Sequence, residues 1–275
     1  MAKREDTWWA HALLVGGCIL CILPLLRIFS VSLRPGDKLL ATSLDVIPKG
    51  ATFESYVQVF SDTLFLRWLV NSLILSFLTA AISVALSATA AYALSRYRFP
   101  LRKSVMVFLL ASQMIPVVVL LLPLYFLLQN MHLLNTYSGL ITATCVYTIP
   151  FSVWILKGYF DTIPRELEEA GKVDGLSDVG AFWRIVVPLS VPGLSIAGLF
   201  SFTTVWNEYI VARVILQESE FYTWPIGLFE LQGDFNTRWG MFAASSVMVT
   251  IPVLGVFLYS SRWLLSGLTA GSVKG

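Results

Sequence analysis

Two groups of residues have types and spacings that could do chemistry. The first is acidic. Six of the seventeen Asp and Glu residues lie in one short stretch: Asp161, Glu166, Glu168, Glu169, Asp174 and Asp178. They sit in a chain that is 56% hydrophobic and only 13% charged, about half the charged share of a soluble domain. The second group is Cys18 and Cys21, whose CxxC spacing can hold zinc or run thiol redox chemistry. Here the pair is embedded in GGCILCILPLL with no second pair, and Cys145, His11 and His132 are far away in sequence. Small apolar packing residues are the simpler reading, and no metal or redox centre is expected. A membrane-embedded enzyme would need a nucleophile or paired acids at membrane depth. Glu208 has no evident second acid or histidine, so catalysis is not expected either. The acidic stretch remains to be explained.

Its local pattern predicts two short helices. Thr162 and Pro164 read as an N-cap and a helix-starting proline. Glu166, Glu168 and Glu169 fall in the first turns, where the helix dipole favours negative charge. Gly175 is placed to end that helix in a left-handed conformation. A second helix starts at Ser177, carries Asp178 in its first turn, and runs through Phe182, Trp183, Ile185 and Val186 to Pro188. The second is apolar enough to pack on a larger body, whereas the first must face water or a partner. On pattern alone, a solvated amphipathic loop accounts for the charges equally well.

The elements that must carry this loop are long and apolar. A span needs about 20 apolar residues, and six windows qualify, at about 9–31, 68–95, 104–129, 138–159, 192–216 and 239–264. The first lacks a small-x-small cleavage site and is read as a retained span, not a removed leader. Pro116 and Pro123, Pro150, Pro192 and Pro252 fall in four of the windows; prolines are tolerated there where neighbours re-satisfy the freed carbonyls, and each is either a candidate bend or an ordinary membrane-helix proline. Arg96, Arg98, Arg102 and Lys103 crowd one short loop without an acid, and QNMHLLNTY opposite has no Lys or Arg. The basic loop is therefore expected in the cytoplasm, together with both termini and the 160–191 loop, while 32–67 and 217–238 face outward. The spans hold no chain of ionisable residues of the kind a proton-coupled carrier uses. No convincing internal repeat favours a secondary carrier. SATAAYALS in the second span suits close helix packing. Gln113, Asn207 and Glu208 are polar within apolar spans; they either line a water-filled path or satisfy neighbouring backbone. A net charge of +2 with no basic run points to no nucleic-acid partner.

In the acidic stretch, Glu169-Ala170-Gly171 is followed after three residues by Gly175, and after nine more by Ile185-Val186-Val187-Pro188. This resembles the cytoplasmic "EAA" loop of binding-protein-dependent ABC importer permeases, patterned E-A-A, three residues, G, nine residues, I-x-L-P. Gly171 replaces the third alanine, which loosens the helix by roughly 1 kcal/mol, and Val187 replaces the leucine. Asn71-Ser72, AYALSRYRFP, Trp206-Asn207-Glu208-Tyr209 and the final GLTAGSVKG are similar to the carbohydrate branch, in particular its maltose-type smaller subunits.

The resemblance implies an all-α integral membrane protein with six transmembrane helices and the type I ABC importer permease fold. Residues 1–66 would hold the first span and outward loop, 67–262 the permease core and 263–275 a cytoplasmic tail. It implies a second homologous permease subunit, two ABC ATPase subunits and an extracytoplasmic solute-binding protein as partners, in a bacterial or archaeal cytoplasmic membrane. Glu168, Glu169, Ala170, Gly171, Asp174, Gly175, Ile185 and Pro188 would couple to the ATPases. Glu169 would face a basic residue there, and Gly175 would form the turn at the tip. The solute would be a sugar, as a disaccharide or oligosaccharide, or a polyol. No GxxxxGK[ST] loop occurs, so ATP and Mg belong to the partners and no cofactor is expected in this chain. By the same likeness QESEFYTWPIGLFELQGDFNTRWG would reach into the binding protein, unless it packs on the bundle rim. The tail ending Gly271–Gly275 would lie at the ATPase interface or else fray. A self-contained carrier or channel is the competing reading and would need coupling-ion sites that these spans do not offer.

Overall fold

Every regular element among the described residues is helical, as uninterrupted apolar sequence inside a bilayer requires. The computed structural model describes residues 8–36, 45–61, 63–232 and 237–270. The helices are α1 (Trp8–Ser32), α2 (Glu54–Ser61), α3 (Thr63–Arg96), α4 (Arg102–Ser112), α5 (Val117–Asn130), α6 (Tyr137–Phe160), α7 (Arg165–Val173), α8 (Asp178–Ala181), α9 (Val187–Leu189), α10 (Val191–Trp206), α11 (Ile210–Ile215), α12 (Trp224–Glu230) and α13 (Trp239–Ala270). A π-helical turn, Phe182–Val186, links α8 to α9.

Four helices, α1, α3, α6 and α13, are long and apolar enough to cross a membrane, and two bent pairs bring the number of spans to six. The third span, expected over 104–129 with Pro116 and Pro123 as candidate bends, is bent. It breaks between α4 and α5 with a 102° bend. Pro116 stands at the break in an extended conformation (φ −58°, ψ 132°); it has no N–H to give and bars its predecessor from helical geometry. Pro24, Pro123, Pro150 and Pro252 lie inside unbroken helices. The second bent pair is Asp178–Leu189 with α10 (78°); within the window expected over 192–216, α10 stops at Trp206 and α11 resumes at Ile210.

The chain forms two compact units. One comprises Met1–Leu66 and Gly227–Ile251, the other Arg67–Ile226 and Pro252–Gly275. In the first, the turn after α1 is tied to α2. Thr52 N–H donates to the Leu33 carbonyl (2.9 Å), and the Ser32 and Tyr56 hydroxyls bond at 2.8 Å. Arg238 Nη2 donates to Gln58 Oε1 (3.0 Å). α1 is apolar on all sides and exposed over most of its length, the character of a helix meant for apolar surroundings.

The second unit is built on α3, α6 and α10. One face of α3 is a buried file of small residues: Ser72, Ser76, Thr79, Ser83, Ser87, Ala91 and Ser95. Their three- and four-residue spacing makes a stripe on which a neighbouring backbone can sit close. Across it Ser83 and Thr148 hydroxyls bond at 2.7 Å, and Ser87 Oγ donates to the Ile149 carbonyl at 3.2 Å. α6 meets α10 closely at Gly193, where a Cβ would come within 2.7 Å of the Tyr159 ring. At the end of the bundle next to Arg96, a core of Ala91, Tyr92, Leu156, Phe160, Phe182 and Val186 joins α3 and α6 to the loop that follows.

Candidate functional site

The acidic stretch folds as the glycine spacing demands. α7 starts directly after Pro164, whose ψ of 133° sets the entry. Because that extended residue delays the helix, Thr162 does not cap it; its hydroxyl donates to the Tyr159 carbonyl and closes α6 instead (2.7 Å). Glu166 and Glu168 lie in the first turn, where the dipole favours them. The far end is a Schellman turn: Leu176 N–H reaches the Gly171 carbonyl (2.9 Å) and Gly175 N–H the Lys172 carbonyl (3.0 Å). Gly175 has φ +91°, a conformation that side-chain-bearing residues rarely adopt. Ser177 then caps α8, accepting from Gly180 N–H (3.1 Å). The second helix ends one residue past Pro188, at Leu189. Pro188 offers no N–H to the Arg184 carbonyl, the turn before it widens to a π-turn, and the chain runs on through α9 before bending by 78° into α10. At Gly171 a Cβ would lie 2.5 Å from Ile185 Cδ1, so Ile185 occupies the space of the family's third alanine.

One carboxylate of the loop points inward. Glu168 is 4% exposed. Arg96 Nε donates to its Oε1 at 2.5 Å and Tyr92 OH to its Oε2 at 2.8 Å. Arg96 Nη2 also reaches the Ile163 carbonyl (3.1 Å), and Arg165 returns to the Ser95 carbonyl (2.8 Å). Ser95 Oγ donates to Asp161 (2.6 Å), which also pairs with Lys157 (2.5 Å). Partial burial pushes the Asp161 carboxyl up, but hydrogen bonds from Lys157 and Ser95 outweigh it and hold its pKa low. On the outer face Asp178 accepts from Lys172 (2.5 Å) and Tyr97 (3.0 Å), and these two bonds lower its pKa. The Lys172 ammonium is correspondingly pushed up.

Of the residues the sequence assigned to coupling, Glu169, Ala170, Asp174, Gly175 and Pro188 lie at the surface, Ile185 is half-buried, and Glu168 and Gly171 are buried. Glu168 is paired within this chain. Arg96 and Tyr92 were missed as site residues. The signal was a basic residue closing a span beside an acidic loop.

A second polar cluster lies at the two broken spans. Gln113 Nε2 donates to the Tyr147 carbonyl (3.3 Å), and Tyr147 OH donates to Glu208 Oε2 (2.9 Å). The other Glu208 oxygen accepts from Val211 N–H (2.8 Å) and caps α11. Gln113 and Glu208 thus meet on one residue of α6, Tyr147, which sequence reasoning passed over among ten tyrosines. Asn207 stands apart: it is exposed and donates back to the Thr203 carbonyl (2.8 Å).

At the far end of α3, Asn71 donates to the Glu220 and Tyr222 carbonyls (both 2.9 Å) and accepts from Tyr137 OH (2.6 Å). Ser72 Oγ accepts from Trp224 N–H (2.8 Å), and Trp68 Nε1 donates to the Ser219 carbonyl (2.7 Å). Residues 217–224 thus pack on the bundle rim. Residues 233–236 of the same loop and the tail, Gly271–Gly275, lie outside the described residues.

Residues 81–261, which contain the loop, its buried ion pair and the Tyr147 cluster, match the family model described as "Binding-protein-dependent transport system inner membrane component". The chain belongs to this family. It is 35% identical over 271 residues to the galactooligosaccharides transport system permease protein GanQ of Bacillus subtilis, spanning 97% of this chain and 95% of that one. It is 36% identical over 293 residues to the maltose/maltodextrin transport system permease protein MalG of Yersinia pestis, spanning 100% and 95%. Its fold matches the crystal structure of a bacterial ABC transporter involved in the import of the acidic polysaccharide alginate, with a TM-score of 0.83 at 23% identity over 96% of this chain and 99% of that one. The all-α six-span architecture is that of a type I ABC importer permease.

Proposed function

We propose that this chain is one permease half of an ATP-driven importer for a disaccharide, an oligosaccharide or a related polyol, and that α7 is the handle by which an ATPase subunit moves it. The observation that carries this reading is the geometry of α7: a rigid, capped helix at the end of the bundle. It presents Glu169, Ala170, Asp174 and Gly175 outward while its base is built into the core. A short helix of this kind transmits rigid-body motion without stretching. Closure of two ATPase subunits on ATP and Mg would push two such handles together and turn the paired permeases from inward-open to outward-open. The positive-inside pattern of Arg96 to Lys103 puts this end in the cytoplasm, with both termini. Residues 67–262 form the permease core, and the tail lies against the ATPase. The relatives' sugars support a carbohydrate, delivered outside by the binding protein after which the family is named. Gln113, Tyr147, Glu208 and Asn207 border the path through which it passes, at the breaks in the spans.

The test is purification from membranes followed by reconstitution. The chain should copurify with a second permease and two ATPase subunits. With the binding protein, hydrolysis should be stimulated by one of maltotriose, trehalose, a galactooligosaccharide or glycerol-3-phosphate. Ion-gradient-driven uptake by the chain alone would establish the carrier reading instead.

A further inference from the structure

α7 is joined covalently to α6 by residues 161–164 and to α8 by residues 174–177. Its covalent route to α3 is long, running back through α6, α5 and α4, and Arg96 at the end of α3 is 72 residues away from Glu168. Yet the densest polar contacts of the loop run to α3. The Arg96 guanidinium spreads over three acceptors: Glu168 Oε1, the Ile163 carbonyl and Ser95 Oγ. Tyr92, one turn earlier, holds the second Glu168 oxygen, and Arg165 reciprocates to the Ser95 carbonyl. The Arg96 and Glu168 side chains are 8% and 6% exposed, so salt and water screen them little. Both are long side chains that surface residues of their type do not bury without a partner.

We propose that Arg96, Tyr92 and Glu168 are positioning residues that lock α7 and the end of α3 into one rigid body, so that motion delivered to the loop is received directly by a span that is not its neighbour along the chain. This rests on the reading of α7 as the ATPase-driven handle. Adjacent residues on a helix point about 100° apart, so anchoring Glu168 inward also fixes Glu169 outward. The planar fork matters as much as the charge. A lysine at position 96 would keep the ion pair to Glu168 and lose the bonds to the Ile163 carbonyl and Ser95 Oγ, so that only the far side of Pro164 stays tied to it.

The test uses the assembled complex with its partner subunits, reconstituted with the binding protein. Spin labels replace Arg98 and Glu166, both exposed, on a background with Cys18, Cys21 and Cys145 changed to serine. In the otherwise wild-type chain the distance between the labels should be narrow and the same without nucleotide and with a non-hydrolysable ATP analogue. A distance that changes with nucleotide overturns the clamp, and this measurement needs no clamp variant to fold. In Glu168→Gln the distribution should broaden. ATP hydrolysis should continue in Glu168→Gln and Arg96→Lys while uptake per ATP falls roughly tenfold, within the usual span of coupling effects. Tyr92→Phe should cost about two- to threefold by the same measure. Wild-type uptake per ATP in assembled Glu168→Gln and Arg96→Lys complexes would also overturn it. Glu169→Ala separates the two levels. If it uncouples while the clamp variants do not, the clamp alone falls. If neither uncouples, the handle reading falls with it.

Discussion

The two ends of α3 are tied down differently, one around a buried ion pair and the other chiefly by bonds to main chain. At one end Arg96 and Tyr92 hold a single side chain, Glu168, through a buried ion pair and a hydroxyl bond. At the other, Asn71, Trp68 and Ser72 hold main-chain atoms of residues 219–224 through neutral bonds, and the ion pair beside them, Arg67–Glu220 (3.0 Å), is exposed. A pin on backbone fixes the path of a segment and leaves its side chains free to suit whatever they meet. A clamp on a side chain fixes which face of a helix turns outward. The first suits a surface that presents residues to a soluble partner, the second an element that must carry load in one orientation.

The comparison can be broken at its strongest point first. Arg96→Ala leaves Glu168 buried and unpaired, which should destabilise the inner end by about 3–5 kcal/mol, whereas replacing both partners by methionine should recover most of it. Thermal unfolding in detergent and protease cleavage within 160–190 would show both effects. Asn71→Ala removes three hydrogen bonds and strands two backbone carbonyls, at about 2–3 kcal/mol. Cleavage should then rise in 217–224 and not in 160–190. Between the two ends, Tyr147→Phe removes only its hydroxyl bond to Glu208, which keeps Val211 N–H. A loss of about 1 kcal/mol is expected, with reduced uptake if the cluster borders the path. Gly171→Ala gains about 1 kcal/mol of helix preference but must displace Ile185 Cδ1. The change in stability should stay within about 1 kcal/mol either way.

The smallest effect is a pH effect. The Asp178 pKa is lowered from 3.8 by Lys172 and Tyr97. Its contribution is therefore present at neutral pH, is undiminished down to its ordinary value, and is lost as pH falls through the lower folded value. Wild type and Asp178→Asn should differ in loop protection at pH 7 and converge once pH falls below the lowered folded value, with the difference at pH 7 shrinking in high salt because the pair is exposed.

The long apolar windows made the spans legible, since length and lack of charge suffice to mark a crossing. The Gly175 turn and the Ser177 cap were legible because each depends on one residue's local chemistry. The breaks were legible only as candidates. Pro116 interrupts its span while Pro123, Pro150 and Pro252 do not, and residue type alone does not separate them. Glu168 and Glu169 are neighbours of the same type; only the position of Arg96, brought by another helix, turns one inward. Arg96 itself could be read from sequence as a topological charge, and Thr162 lost its capping role to the extended geometry of Pro164.

The claim that force enters through α7 is tested most directly by placing a cysteine at Glu169 in the assembled complex, on the serine background. The account predicts that it forms a cross-link to an ATPase subunit bearing cysteines along its docking groove, that the link stops uptake, and that reduction restores it. A position 169 that reacts with a water-soluble maleimide as fast in the complex as in the chain alone, and cross-links to no ATPase subunit, would contradict it.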